Sequence, residues 1–170
     1  MEFREKPNTE VKKELPVVNL SEGIETSLIK ELAFDMFKLA RSLKERASVY
    51  DTIISDDASG RSVSLFLKEV FDGLRKKDGI PPIQIRFIAS GRFISEDKTK
   101  NIKEYLGKNK NILGRALLVT EYIETGKSIA KVFEILNSLQ IDYDLAALKV
   151  SSISGEEELR GEGLKGDLFF

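Results

Sequence analysis

Apolar positions along the chain fall into two patterns that take turns. Short apolar runs at residues 49–54, 83–88, 116–119 and 145–150 predict strands. Between them the apolar residues recur at helical spacing. Val63, Phe66, Leu67, Val70, Phe71 and Leu74 mark a helix over about 62–74, and Ile129, Val132, Phe133, Leu136 and Leu139 mark another. A further helix is predicted over 96–106. An earlier one, over about 27–46, carries a stripe of Ile29, Leu32, Ala33, Met36, Ala40 and Leu43, and reads as a packing helix. Alternating strands and helices across 49–150 predict an α/β fold, a parallel sheet with right-handed crossovers. Both ends differ from this middle. Residues 1–16 are charged and read as a frayed lead-in. Residues 151–170 are Gly-rich and acidic and stop on Leu168-Phe169-Phe170, which reads as a final edge strand, an oligomer contact or the edge of a fragment.

At 170 residues the chain is most simply one domain. Composition then narrows the chemistry. The chain contains no Cys and no His, which excludes thiolate nucleophiles, disulfide frameworks and most Ser/His and zinc hydrolases. Acid–base work falls to Asp, Glu, Lys or Tyr. A net charge of −1 gives no global pull toward nucleic acid or anionic membrane. No apolar run is long enough to span a bilayer and the start shows no signal peptide, so the cytoplasm is the expected compartment.

Candidate chemistry gathers where the third strand meets its helix. Ala116-Leu117-Leu118-Val119 leads through Thr120-Glu121-Tyr122-Ile123-Glu124 into Thr125-Gly126-Lys127-Ser128 and then the helix. Strand, tight Gly turn and helix start form an anion cradle, because the first helical N–H groups lack intrahelical partners and the dipole adds positive charge. Lys127 adds a full charge, and Thr125 and Ser128 add hydroxyls. A nucleotide-triphosphate loop ending in Gly-Lys-Ser needs an earlier glycine where this chain has Glu121, so that motif is excluded. The stretch resembles instead the phosphoribosyl pyrophosphate (PRPP) motif of type I phosphoribosyltransferases, nearest the purine-salvage branch. The resemblance implies a Rossmann-like parallel-sheet fold, a Mg²⁺-dependent reaction, PRPP and a nitrogenous base as small-molecule substrates, and a homodimer. By position it makes Glu121 a ribose ligand, Thr125, Gly126, Lys127 and Ser128 the 5′-phosphate loop, and Glu124 the carboxylate that serves the purine ring nitrogen. Thr120 stands where the family's first acid belongs. A hydroxyl can hydrogen-bond ribose, but it does not hold Mg²⁺ as a carboxylate does.

An earlier unit repeats the strand, Gly loop and helix arrangement with Asp56-Asp57-Ala58-Ser59-Gly60-Arg61. In the resembled family this place holds the pyrophosphate, which assigns Ala58, Ser59, Gly60 and Arg61 to it. Asp56 and Asp57 are atypical there. They read as Mg²⁺ ligands together with Glu121, as marks of a site that no longer binds pyrophosphate, or as caps of the next helix. Between 92 and 115 basic residues outnumber acidic ones, among them Arg92, Lys98, Lys100, Lys103, Lys108 and Lys110. That segment reads as a lid over the pyrophosphate or as a solvated helix. With Phe93 and Tyr105 as its only aromatics it makes a thin platform for nucleic acid. Two functions stay open at this point. One is transfer of the phosphoribosyl group to a base with release of pyrophosphate, with Glu121 and Glu124 as catalytic residues. The other is a catalytically degenerate regulatory module that binds PRPP or a nucleotide.

Overall fold

The computed structural model describes residues 22–56, 60–89, 95–151 and 155–170, with side chains from Ser27 onward. The five strands are β1 (Thr52–Asp56), β2 (Gln84–Ile88), β3 (Ala116–Ile123), β4 (Tyr143–Val150) and β5 (Leu168–Phe169). All pair in parallel, in the order β2-β1-β3-β4-β5. Among the described residues six α-helices accompany them: α1 (Glu22–Leu43), α2 (Arg61–Lys77), α3 (Glu96–Lys108), the short α4 (Lys110–Leu113), α5 (Lys127–Ser138) and α6 (Glu156–Gly161).

The central strands are buried on both faces, so they read as continuous apolar runs and not as alternating ones. Ile53, Leu117, Val119 and Ala146 face Leu39, Leu43, Val63, Leu67 and Phe71 of α1 and α2. Ile54, Ala116, Leu118 and Leu145 face Ile102 and Leu106 of α3 and Val132, Phe133 and Leu136 of α5. The sheet is thus doubly wound. Crossovers run outward in one direction through α2 and in the other through α5, and the direction reverses between β1 and β3. Ligands in such sheets collect at the carboxyl ends of the strands at that reversal.

Several elements differ from their sequence-based expectation. β4 starts at Tyr143, ahead of the apolar run, because Asp144 is paired inside the fold. Its carboxylate is fully buried and accepts from Tyr50 Oη at 2.7 Å, Arg46 Nη1 at 3.2 Å, Arg115 Nη2 at 3.1 Å and the Asp167 N–H at 2.9 Å. Burial alone would push this carboxyl up, but the hydrogen bonds from Tyr50, Asp167 and Arg115 outweigh it and hold Asp144 below the usual carboxylate range. Burial also pushes the Tyr50 phenol up, helped by its bond to Asp144. The Gly-rich tail contains α6 and then β5, the edge strand among its three expected roles, which pairs Leu168 with Leu145.

α1 departs from a fully packed stripe. Leu39, Ala40 and Leu43 are buried, whereas Leu28, Ile29 and Leu32 are 61%, 65% and 38% exposed. The reason is the helix's course. Arg46, just past its end, reaches Asp144 at the start of β4, while Glu31 and Asp35 reach Lys149 near that strand's far end. α1 therefore runs antiparallel to β4, and its first turns pass the carboxyl edge of the sheet. From Glu96 onward the basic segment is a packed helix, with Ser95 accepting the Lys98 N–H as its cap and Ile102 and Leu106 buried. Residues 1–16, and the lid reading where it falls on 90–94, lie outside the described residues.

Candidate functional site

β3 carries its motif to the carboxyl edge and then turns. Gly126 adopts the left-handed conformation, φ 70°, and caps α5 with no side-chain partner. Its carbonyl accepts the N–H groups of Ile129 and Ala130. The helix's own ladder supplies no acceptor to the N–H groups of Lys127 and Ser128. The first turn of α5 holds no acidic residue, so the positive end of the dipole is not neutralised from within the helix. Lys127 and Ser128 are exposed and Thr125 half-buried. A Cβ on Gly126 would lie 2.8 Å from Leu159 Cδ2 of α6, so a side chain there would push Leu159 aside. The tail helix thus backs the turn.

The second Gly loop lies against the same strand. Gly60 caps α2, and its N–H donates to the Asp56 carbonyl at 2.7 Å. A Cβ on Gly60 would sit 2.5 Å from the carbonyl oxygen of Val119, so the β1–α2 turn lies directly against β3. Arg61 opens α2 with its guanidinium 4.7 Å above the ring of Phe87 on β2. That contact helps to hold the flat group in place. Asp56 ends β1 half-buried. Asp57, Ala58 and Ser59 lie outside the described residues.

The remaining motif residues separate. Thr120 is 4% exposed and withdrawn into β3. Glu124 is exposed in the turn after the strand. Glu121 is also exposed, and among the described residues it has no hydrogen-bond or ion-pair partner. The inside–outside alternation of β3 breaks at this point. Leu118 and Ile123 both join the α5-side core, whereas Glu121 and Tyr122 both line a cleft under the overhanging start of α1. The cleft, about 380 Å³, is completed by Leu28, Glu31, Leu32, Leu148 and Lys149. A second depression continues it past Tyr122, Leu148 and Lys149 toward Asp35, Lys38 and Phe170. Lys149 Nζ lies 2.7 Å from Glu31 and 3.2 Å from Asp35, contacts that raise its pKa and keep it a cation. The sequence reading missed this cleft. Two signals for it were present: an aromatic between the carboxylates of the motif, and a lysine interrupting the last apolar run.

Among the described residues no group of three or more Asp or Glu could cage a metal.

A parallel sheet with helices on both faces and a reversal of winding between β1 and β3 defines the doubly wound class of α/β proteins. Within that class, the chain has the fold of the type I phosphoribosyltransferases. It is similar to the purine phosphoribosyltransferase from Pyrococcus horikoshii Ot3, at 17% identity over 82% of this chain and 80% of that one, with a TM-score of 0.51. It is also similar to a hypothetical protein from Neisseria gonorrhoeae with bound ppGpp, at 14% identity over 81% and 76% of the two chains and a TM-score of 0.52. No family model and no curated protein matches the chain.

Proposed function

We propose that the chain binds PRPP with Mg²⁺ at the carboxyl edge of its sheet and transfers the 5-phosphoribosyl group to a nitrogenous base. The observation that carries this reading is the contact of Gly60 with Val119, which sets the first Gly turn against the strand that leads into the second, from distant parts of the sequence. PRPP bears phosphate at both ends of one ribose and needs two such turns. Thr125, Gly126, Lys127 and Ser128 hold the 5′-phosphate, and Ala58, Ser59, Gly60 and Arg61 hold the pyrophosphate. Glu121 orients the ribose hydroxyls and, with Asp56 and Asp57, faces the metal. When bound, Mg²⁺ supplies positive charge against the departing pyrophosphate. The C1–O bond to pyrophosphate breaks, a C1–N bond to the base forms, and Glu124 takes the ring N–H proton. Charge fixed around the leaving group is the main source of rate.

A regulatory module that binds PRPP or a nucleotide without turnover is favoured by one observation. Position 120 carries a buried hydroxyl where the resembled motif has an acid. Titration calorimetry with PRPP, with and without Mg²⁺, against ribose 5-phosphate, ATP and ppGpp separates the readings. Metal-dependent PRPP binding tighter than ribose 5-phosphate, followed by pyrophosphate release with a base, supports the transferase. Equal affinity for the two supports the module. Glu121→Ala should abolish the preference for PRPP, and an unchanged preference would remove Glu121 from the site.

A further inference from the structure

The outer side of α1 carries a stripe of exposed residues. Lys30, Phe34, Phe37 and Arg41 recur at helical spacing, so they line one face of the helix. All four are exposed, the rings of Phe34 and Phe37 by 69% and 64%. Leu39 and Leu43 against the sheet, and Leu32 at the cleft, lie on the opposite face, so a partner on the stripe leaves the cleft open. Phe37 meets Phe66 of α2 edge-on, ring centroids 5.3 Å apart, which steadies its ring without covering it.

We infer that this stripe docks the protein on an anionic lipid surface. Charge is the first support. Between Ser27 and Leu43 the acids are Glu31 and Asp35, and both are turned to Lys149. Lys30, Arg41 and the adjoining Lys38, also exposed, have no ion-pair or hydrogen-bond partner among the described residues. Lys44, just beyond, is answered by Glu45 at 4.0 Å. On neighbouring α2, exposed Glu69 is offset by exposed Lys76 and Lys77, so α2 does not reverse the sign. The chain's net charge of −1 does not oppose docking, because charges beyond about 8 Å from the surface are screened at physiological salt. Shape is the second support. The stripe is the ridge of a single helix, which suits a broad surface. Phe rings set among cations fit the boundary of headgroups and acyl chains, where rings enter and Lys and Arg meet phosphate. No described helix is long and apolar enough to cross a bilayer, so the contact is peripheral. A second copy fits less well, since a two-fold contact along the stripe would set Lys30 and Arg41 against the same cations of the other copy. Helix α3 is the contrast: its exposed Lys98, Lys100 and Lys103 are offset by exposed Glu96, Asp97 and Glu104.

The test is co-sedimentation of the whole chain with vesicles of phosphatidylcholine alone, or of phosphatidylcholine with one-third phosphatidylserine. Binding should appear only with phosphatidylserine and fall as salt rises. Lys30→Ala and Arg41→Ala should each weaken it roughly five-fold. Phe34→Ala should weaken it roughly ten-fold, and Lys103→Ala on α3 should leave it unchanged. All four positions are exposed, so unaltered thermal unfolding reports that the variants fold. Equal binding to both vesicles, or none by the wild type, overturns the inference. So does binding that Phe34→Ala leaves intact, or that Lys103→Ala weakens as much as Lys30→Ala. A dimer in light scattering that Phe34→Ala splits also overturns it, since a second copy would then cover the stripe. Polyglutamate serves as a purely acidic probe: capture as tight as that of the vesicles would assign the stripe to an acidic protein segment and overturn the lipid reading.

Discussion

At the scale of single residues, Gly126 is where backbone conformation and ligand chemistry meet. Its φ of 70° strains any other residue, and a Cβ there would press on Leu159. Gly126→Ala should cost about 1–2 kcal/mol from the left-handed conformation alone. It should also weaken ribose 5-phosphate binding at least ten-fold, because relieving the clash moves the N–H groups that form the cradle. Thermal unfolding and calorimetry read the two effects separately. Asp144 makes a second residue-scale prediction. Its carboxyl is held below its ordinary value of 3.8, so its contribution to stability is complete above that pH and is lost as pH falls through the lowered value. Asp144→Asn should flatten that acid limb in denaturant titrations between pH 2 and pH 5. It should cost about 2–3 kcal/mol at neutral pH, less than for a wholly buried pair, since Arg46 and Arg115 are 39% and 41% exposed.

At the scale of elements, α6 acts on a site that it does not line. Leu159 is fully buried against the core under α5 and touches the phosphate turn. Leu159→Ala should cost about 2–5 kcal/mol and loosen ribose 5-phosphate binding, and Leu159→Met should restore most of both. Elements also show how far the sequence could be read. The strands and α2, α3 and α5 were legible because their apolar periods are set locally by burial on one or two faces. The start of β4 was not, since a buried Asp looks like a loop residue until its partners Tyr50 and Arg46 are known, and these lie 94 and 98 positions away. α6 and β5 were obscured by Gly-rich, acidic surroundings. The stripe on α1 was visible, but periodicity cannot tell where the sheet beneath a helix ends. For that reason the uncovered half of α1, and the cleft it makes, appeared only with the fold. At the site, the strand, Gly turn and helix around Gly126 were legible from residue order alone, whereas the cleft depends on a break in strand alternation that composition does not announce.

At the scale of the whole molecule, the order β2-β1-β3-β4-β5 places the reversal of winding between β1 and β3, so both Gly turns emerge side by side. A ligand that engages both turns binds the folded chain and not the unfolded one. PRPP with Mg²⁺ at a hundred times its dissociation constant should therefore raise the unfolding free energy by about 2.7 kcal/mol. Ribose 5-phosphate at the same absolute concentration should do less, and differential scanning calorimetry would rank the two.

The chain from Gly155 to Phe170 is anchored at opposite edges of the sheet. Leu159 wedges behind the phosphate turn at one edge, and the Asp167 N–H is tied to Asp144 at the other. The segment therefore behaves as a tether under the sheet. A protease nick between α6 and β5 would free Leu159 to drift and would slacken the cradle without touching a ligand-binding residue. Conversely, an occupied cradle would shield that stretch from cleavage, so susceptibility of the tail to digestion becomes a remote gauge of whether the anion site is filled.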